Sequence, residues 1–439
     1  MENHSKTKPF TAQMLLAAVA AFCTYTCMFA YRKPFTAAGF DDISLLGVNY
    51  KVWLVIAQTI GYTLSKFYGI RFIAELTHRR RARLIVGCII VAWLSLLFFA
   101  IIPPPYNILF FIINGFPLGM IYGLVFSYLE GRRVTEFLGA VLATSFIFAA
   151  GFTQSIGKYL MEAFQLNAWW MPFVTGAVFI VPTIVCVALL DKTPPPSPDD
   201  IAHRTERKPM NKSERRAFIQ RFLPGLVLLI TAYVLLTILR DYRSNFASNI
   251  WNELGQGKDA SIFTKTELPA SLVILVLMST LVVVRNNIKA LLINHYIVLF
   301  GFLLSLGATL LYSYGYLSPF AWMATLGVGL YMGYVPFNSI LFDRLIASFQ
   351  HVSNAGFLIY LADSFGYIGS DAVLIVKSFF PQQHSWTSYF INLVIILSLV
   401  GIALMIGSII YFNRKYSIYN LSAVSINDKV EEKKREVNV

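Results

Sequence analysis

Long apolar stretches recur along almost the whole chain and constrain its fold more than any other feature. Many of them exceed the roughly 18 residues that a helix needs to cross a bilayer. Of the 439 residues, 56% are hydrophobic and 13% are charged, against about 25% charged residues in soluble proteins. The sequence therefore predicts an all-α, multi-pass integral membrane protein, which in a bacterium would lie in the cytoplasmic (inner) membrane.

The breaks between the apolar stretches predict twelve transmembrane helices in two groups of six. The first group lies near residues 11–33, 50–70, 84–102, 107–129, 136–160 and 168–190, and the second near 222–246, 262–284, 290–313, 318–342, 352–377 and 386–412. We expect an N-terminal six-helix bundle over residues 1–190, a cytoplasmic linker over 191–221 that ends in a short amphipathic helix, a C-terminal six-helix bundle over 222–416 and a disordered cytoplasmic tail over 417–439.

Basic residues in alternate loops predict the orientation of the chain. Arg80 and Arg81 lie between the second and third spans, and Arg132 and Arg133 follow the fourth, whereas the opposite loop 103–106 has no basic residue. Because cytoplasmic loops carry the excess of Lys and Arg, both termini are predicted to be cytoplasmic. The same loops account for the formal net charge of +13, so no nucleic-acid partner is expected.

A tyrosine and an arginine are repeated at the same spacing in the two halves. Tyr25 and Arg32 lie seven residues apart in the first span, and Tyr233 and Arg240 repeat this spacing in the seventh. Seven residues make about two helical turns, so each pair is expected to share one helix face. A guanidinium deep in lipid is costly, and its repetition predicts two halves folded around one anion. Alternatively, Arg32 and Lys33 only end a helix and extend to the membrane surface.

Tyr62 and Lys66 form a second candidate group, in the second span. Their spacing of four residues places the ring and the ammonium on one helix face. Lys66 is near the predicted cytoplasmic end, so extension of its side chain to the membrane surface is an equally open interpretation.

Three carboxylates of the second half fall inside predicted spans: Glu267 in the eighth, and Asp363 and Asp371 in the eleventh. Buried acids can have a raised pKa and carry protons, so they are candidates for coupling. The alternative is a structural salt bridge with Arg240, Arg243 or Lys377.

Charged residues follow the fourth and tenth spans at the predicted cytoplasmic face. These spans carry glycines at helical spacing, Gly115-x3-Gly119-x3-Gly123 and Gly329-x3-Gly333, which predict close helix packing. The charged residues could hold the two halves together when the cytoplasmic side is shut, or only reflect the positive-inside rule. They are Glu130, Arg132, Arg133, Asp343 and Arg344.

Several short blocks resemble the organophosphate:phosphate antiporters of the major facilitator superfamily, which include the glycerol-3-phosphate and hexose-phosphate transporters. The blocks are Tyr31-Arg32-Lys33-x-Phe35, Ser65-Lys66-Phe67-x-Gly69, Asn114-Gly115-x3-Gly119, Leu239-Arg240, Ala355-Gly356-Phe357 and Phe365-Gly366-Tyr367-Ile368-Gly369. The resemblance implies two six-helix bundles with a substrate site between them.

The resemblance also implies roles for individual residues. Phosphate would be bound by Arg32 and Arg240, and Lys66 would line the pore. Tyr25 and Tyr62 match pore tyrosines of that family, and Glu267 falls where the family has a pore glutamate. Lys33 and Tyr233 complete the set of candidate substrate-binding residues.

The chain departs from that family in two places. The fifth helix of those transporters carries a pore histidine in a His-Asn-x-Gly-Gly run, whereas this chain has Phe148 to Phe152, with Gln154 as the nearest polar residue. The loop after the second helix contains Glu75 without the usual Asp-Arg spacing. These departures leave the substrate and the coupling ion open.

The functional hypothesis is a secondary active transporter that works by alternating access. An organic phosphate or other small anion would be held between Arg32 and Arg240, with inorganic phosphate as a possible counter-substrate. One alternative is a proton-coupled symporter of another small solute that uses Glu267 or Asp363. A second alternative is a membrane sensor that binds phosphorylated solutes without transporting them.

No catalytic, metal-binding or phosphate-loop motif is present, so neither an enzyme nor a cofactor is expected. The four cysteines lie inside apolar stretches without metal-ligand spacing. The expected partners are the bilayer and the anionic solute, and the expected oligomeric state is a monomer.

Overall fold

The fold is built almost entirely from helices. The computed structural model describes residues 12–74, 78–130, 132, 135–195, 212–349, 356–379 and 385–437. Within these ranges twelve helices have 18 residues or more. They are α1 (Ala12–Phe29), α2 (Tyr50–Ala74), α3 (His78–Ile101), α4 (Leu109–Leu129), α5 (Thr135–Ala163), α6 (Met171–Asp191), α7 (Lys212–Asn245), α8 (Ile262–Val282), α9 (Asn287–Ser313), α10 (Pro319–Ser339), α11 (Gly356–Phe379) and α12 (Trp386–Val437).

Short elements connect the long helices. Two 3₁₀ turns cover Pro34–Ala37 and Tyr106–Ile108, and two short α-helices cover Ala247–Glu253 and Leu341–Ser348. Strands β1 (Ser44–Leu45) and β2 (Val48–Asn49) form an antiparallel hairpin in which Ser44 pairs with Asn49 and Leu45 with Val48. Leu46 and Gly47 in its turn both have positive φ, as a two-residue hairpin turn of the primed type requires.

Ten of the long helices are apolar enough along a sufficient length to cross a membrane. The prediction of an all-α, multi-pass membrane protein is therefore confirmed. The other two long helices are α1, whose described apolar stretch Met14–Phe29 is shorter, and α2. Large apolar side chains such as Val181 and Val276 are exposed, which is the arrangement expected of helix faces that contact lipid.

Helix contacts in the first half (α1–α6) recur in the second half (α7–α12). In the first half α4 packs against α2 and α3, α6 against α1 and α3, and α5 against α1. In the second half α10 packs against α8 and α9, α12 against α7 and α9, and α11 against α7. Each contact of the first set becomes one of the second when both helix numbers are raised by six. These contacts therefore follow the same pattern in the two halves.

The predicted glycine seams lie at close helix contacts. A Cβ atom on Gly119 would meet the carbonyl oxygen of Tyr62 at 2.8 Å, so α4 can approach α2 only without a side chain there. A Cβ on Gly301 of α9 would meet the carbonyl of Gly329 at 2.6 Å and the amide nitrogen of Gly333 at 2.8 Å. Small residues thus let the backbones come together, as in other membrane helix pairs.

The two halves contact each other in several places: α5 packs along α8 and α10, α2 and strand β2 pack against α11, and the turn Pro34–Ala37 packs against the short helix Ala247–Glu253. The contacts of α5 with α8 and of α2 with α11 are related by the same shift of six helices, because α2 corresponds to α8 and α5 to α11. The residues between these helices are where a site shared by both halves can form.

Two helix boundaries differ from the predicted domain limits. Helix α7 begins at Lys212, so the amphipathic end of the linker continues without a break into the seventh span. Helix α12 continues to Val437, past position 417, where we predicted a disordered tail. Residues 417–437 contain no glycine or proline, so nothing in their sequence interrupts a helix. The centre of the linker, residues 196–211, lies outside the described residues.

Candidate functional site

Arg32 occupies a turn after α1, although the sequence suggested that it shares a helix with Tyr25. Helix α1 ends at Phe29, and the following residues form tight turns in which the Lys33 amide donates to the Phe29 carbonyl at 2.9 Å. Pro34 contributes to this ending, because it has no amide hydrogen and cannot donate to the carbonyl four residues before it. In the second half no proline follows, and Tyr233 and Arg240 both lie within α7.

The Arg32 guanidinium lies against aromatic rings. Its central carbon is 4.1 Å from the ring centroid of Tyr62 and 5.6 Å from that of Phe29. It interacts electrostatically with Tyr25 and, across the two halves, with Asp241. Among the described residues Arg32 forms no ion pair, and its buried Nε has no hydrogen-bond partner. A half-buried guanidinium in this state can still bind oxygen atoms of a ligand.

Arg240 forms an ion pair with the adjacent Asp241. It donates from Nη2 and Nε to Oδ1 of Asp241, at 2.7 and 3.0 Å. Its guanidinium also lies over the ring of Tyr334, with the central carbon 3.9 Å from the centroid. Lys33, the residue after Arg32, donates to Ser244 Oγ on α7 at 2.9 Å, four residues after Arg240. This contact, together with the electrostatic interaction of Lys33 with both arginines, places the two predicted arginines in one cluster of charges.

Lys66 bridges the two halves. Its ammonium forms an ion pair with Asp363 of α11, and the same carboxylate accepts a hydrogen bond from the Tyr233 hydroxyl. Lys66 also lies 5.3 Å from the ring centroid of Tyr62 and 5.0 Å from that of Tyr367. The Lys66 ammonium is therefore paired inside the protein, and Asp363 connects two predicted site residues.

Glu267 forms an ion pair with Arg243 inside the second half. Arg243 also donates from Nη2 to the Met323 carbonyl at 2.9 Å. Both side chains are more than nine-tenths buried, and Glu267 Oε2 has no hydrogen-bond partner among the described residues. Of the two interpretations of Glu267, this geometry favours the salt bridge. Asp371 is half-buried near Asp241, and its Oδ1 has no described partner.

Tyrosines surround the charged groups, and those that sequence reasoning missed include Tyr122, Tyr334 and Tyr367. The Tyr233 hydroxyl is 3.0 Å from that of Tyr334, and the ring centroids of Tyr25 and Tyr122 are 5.4 Å apart. Tyr122 and Tyr334 each adjoin a glycine of a predicted packing seam, Gly123 and Gly333. A tyrosine next to a glycine of a packing seam was the sequence signal that could have identified Tyr122 and Tyr334. Lys51 was also missed, although it is a lysine at the start of an apolar stretch.

The buried charges of this region do not balance. Six cations and four carboxylates are buried or half-buried there, a formal net charge of +2 among the described residues when every group is counted as ionised. The cations are Arg32, Lys33, Lys51, Lys66, Arg240 and Arg243, and the carboxylates are Asp241, Glu267, Asp363 and Asp371. Uncompensated positive charge in a protein interior favours the binding of an anion.

Two of the predicted cytoplasmic latch residues, Arg132 and Arg344, form hydrogen bonds that do not join the two halves. Arg132 donates to the carbonyls of Tyr128 and Pro194, and Arg344 donates to Asn287 Oδ1 at 2.8 Å. Glu130 is exposed, and Asp343 lies in the first turn of the helix Leu341–Ser348. Arg133 lies outside the described residues. These three hydrogen bonds do not join the two halves, so the latch stays a prediction.

The fold and the site define a class: a multi-pass helical membrane protein with buried charges between its helices. The chain belongs to the family of unknown function DUF5690, whose model matches residues 34–415. The match includes Lys66, Arg240 and Asp363, and begins two residues after Arg32. No curated protein matches the chain.

Proposed function

We propose that this protein is a secondary active transporter of the major facilitator type that moves an organic phosphate or another small anion by alternating access. Twelve spans, with both termini in the cytoplasm, form its two bundles. The helix contacts of the first half recur in the second half when both helix numbers are raised by six, and this recurrence supports the proposal. Transporters built from repeats place their substrate site near the bilayer midplane, at the interface between the repeats.

The observation that carries the proposal is the half-buried Arg32 guanidinium, which lies against Tyr62 without a described carboxylate partner. It lies in a cluster whose net charge is +2. A phosphate monoester carries a charge of about −1.5 to −2 at pH 7, so one such ligand would neutralise the cluster. A neutral solute would leave the excess positive charge in place.

Each charged group has a role in this mechanism. The planar guanidinium groups of Arg32 and Arg240 hold phosphate oxygens, because each can donate two parallel hydrogen bonds. The hydroxyls of Tyr25 and Tyr62 supply further donors. Binding of the anion draws the two halves together, and the empty carrier, whose excess positive charge is not compensated, crosses poorly. Exchange of one anion for another follows.

Counterflow in proteoliposomes tests the proposed substrate class. Vesicles loaded with inorganic phosphate are diluted into labelled phosphate, glycerol phosphate, a sugar phosphate or the matching non-phosphorylated sugar. We expect accumulation of at least one phosphorylated compound and none of the sugar. Accumulation of the sugar alone would contradict the proposal, and saturable binding of a phosphorylated compound without exchange would identify a sensor.

Proton-coupled symport is the second candidate, because Asp363 lies between Lys66 and the Tyr233 hydroxyl. If an anion takes Lys66 from Asp363, the carboxylate stays buried and has to be neutralised by a proton. In vesicles with an imposed pH gradient this candidate requires accumulation that a protonophore abolishes. Exchange that is insensitive to the protonophore supports the antiporter.

A further inference from the structure

Two buried lysines of the first half insert into the second half at one end of the molecule. We call the end that carries residues 30–49 and 246–261 the outer end, following the predicted orientation. Lys33 donates from Nζ to Ser244 Oγ at 2.9 Å and to Asn245 Oδ1 at 2.6 Å. Lys51 donates to the Thr36 carbonyl at 2.7 Å and to Asn249 Oδ1 at 2.8 Å.

Neither ammonium has a carboxylate within hydrogen-bond distance among the described residues, and Lys51 is completely buried. Lys51 also lies 5.5 Å from the ring centroid of Phe246. The carboxylate that interacts with it electrostatically, Asp41, is exposed and binds Asn249 instead. Bonds to neutral oxygens compensate an ammonium less than an ion pair does, so both lysines retain affinity for an anion.

The two lysines lead from the outer end towards the central arginines. Lys51 donates to the carbonyl of Thr36, whose hydroxyl donates to the Lys33 carbonyl at 2.7 Å, and Lys33 directly follows Arg32. Lys51 also interacts electrostatically with Lys33, and Lys33 with Arg32 and Arg240. In the second half, the oxygens that accept hydrogen bonds from the two lysines all belong to residues 244–249. Separation of the halves at this end would therefore break those bonds and expose two neighbouring ammonium groups to solvent.

We infer that Lys51 and Lys33 form a second anion-binding site at the outer end, which binds phosphate or a phosphate ester before it reaches Arg32 and Arg240. This inference rests on the proposed transport function. When the outer end opens, the anion replaces Asn249, Ser244 and Asn245 as the partner of the two ammonium groups. When that end closes, the bonds to these residues re-form and the anion passes inward.

Pyridoxal 5′-phosphate tests the site directly, because it carries a phosphate and an aldehyde that forms an imine with a nearby lysine. The full-length protein in right-side-out vesicles is treated with this reagent and borohydride, and the modified lysines are mapped. We expect labelling of Lys51 that falls several-fold when inorganic phosphate is added, and that chloride of equal ionic strength does not reduce. Lys258, exposed in the outer loop, should be labelled without protection by phosphate.

Each outcome has a defined meaning. Absence of label on Lys51, label that phosphate does not reduce, or label that forms only in inside-out vesicles would overturn the inference.

Lys51→Gln should raise KM for phosphate uptake from the outer side and leave KM from the cytoplasmic side unchanged, and Lys51→Arg should restore the first value. Equal changes on both sides would contradict an outer site. Protection of Lys51 without exchange by the wild type would instead contradict the transport proposal.

Discussion

At the scale of single residues, the buried arginines fall into two kinds. Arg243 has a carboxylate partner, Glu267, and a backbone carbonyl that accepts a further hydrogen bond. Arg32 has aromatic neighbours and no carboxylate partner among the described residues. Removing the Arg243 guanidinium from water costs free energy, which its ion pair with Glu267 offsets within the protein. The corresponding cost for Arg32 is offset fully only when an anion binds. We therefore assign Arg243 to the fold and Arg32 to the substrate.

Removal of Arg243 should destabilise the protein far more than removal of the whole pair. Arg243→Met leaves the Glu267 carboxylate buried without a partner, which costs about 3–5 kcal/mol. The double variant Arg243→Met/Glu267→Leu should recover most of that loss, because no buried charge is left. Thermal unfolding of the purified variants in detergent measures both effects. A double variant no more stable than Arg243→Met would show that the pair is not the source of the stability.

At the scale of helices, the contact between α5 and α8 depends on Gly151. A Cβ atom there would contact the Phe263 carbonyl and would lie 2.7 Å from Glu267 Cγ. Helix α5 belongs to the first half and α8 to the second, so this glycine determines how closely the halves approach. Backbone atoms cannot move aside as a flexible side chain can.

Gly151→Ala should therefore push α5 away from α8 and lower the melting temperature of the purified protein. Overpacking of a close contact costs about 1–3 kcal/mol. Gly87→Ala in α3 is the matched control, because its added Cβ meets no atom within 4 Å. The control should be neutral or slightly stabilising, since alanine favours a helix over glycine by about 1 kcal/mol. Equal stability of the two variants would contradict the close contact described for α5 and α8.

The spans and the residues with charge inside them could be predicted from the sequence, because both are local properties. Arg240 and Asp363 were identified in this way. Pairing could not be predicted: Lys66 and Asp363 are 297 residues apart, and only the packing of α2 against α11 brings them together. The placement of Arg32 in a turn followed from Pro34, a local signal that the interpretation of Tyr25 and Arg32 as one helix face did not use.

At the scale of the whole molecule, the structure is closed at its outer end. Lys33, Lys51 and Gln154 of the first half bond to residues 244–249, and Ser248 donates back to the Ala37 carbonyl at 2.7 Å. Alternating access requires that these bonds break once in each transport cycle, so that the outer ends of the halves separate. A covalent link across this end should stop the cycle.

Cysteines at positions 155 and 264 should provide that link. Ser155 Oγ of α5 and Thr264 Oγ1 of α8 are 2.7 Å apart, close to the roughly 2.05 Å of a disulfide. In a protein whose four native cysteines are replaced by serine, oxidation of Ser155→Cys/Thr264→Cys should abolish exchange, and reduction should restore it. The control pair Ser385→Cys/Ser388→Cys lies within the second half, with its hydroxyls 2.9 Å apart, and should exchange normally when oxidised. Full exchange by the oxidised 155/264 pair would contradict movement of the outer ends.

The central claim is that Arg32 and Arg240, one from each half, hold the same anion. Initial rates of counterflow with the phosphorylated compound that the wild type accumulates test it most directly, in Arg32→Ala, Arg240→Ala and the exposed control Arg285→Ala. Loss of a buried charge partner costs about 2–5 kcal/mol, so each of the first two variants should lose about 30-fold or more of the rate while inserting normally. Arg285→Ala should match the wild type. An undiminished rate in Arg32→Ala or in Arg240→Ala would contradict the account.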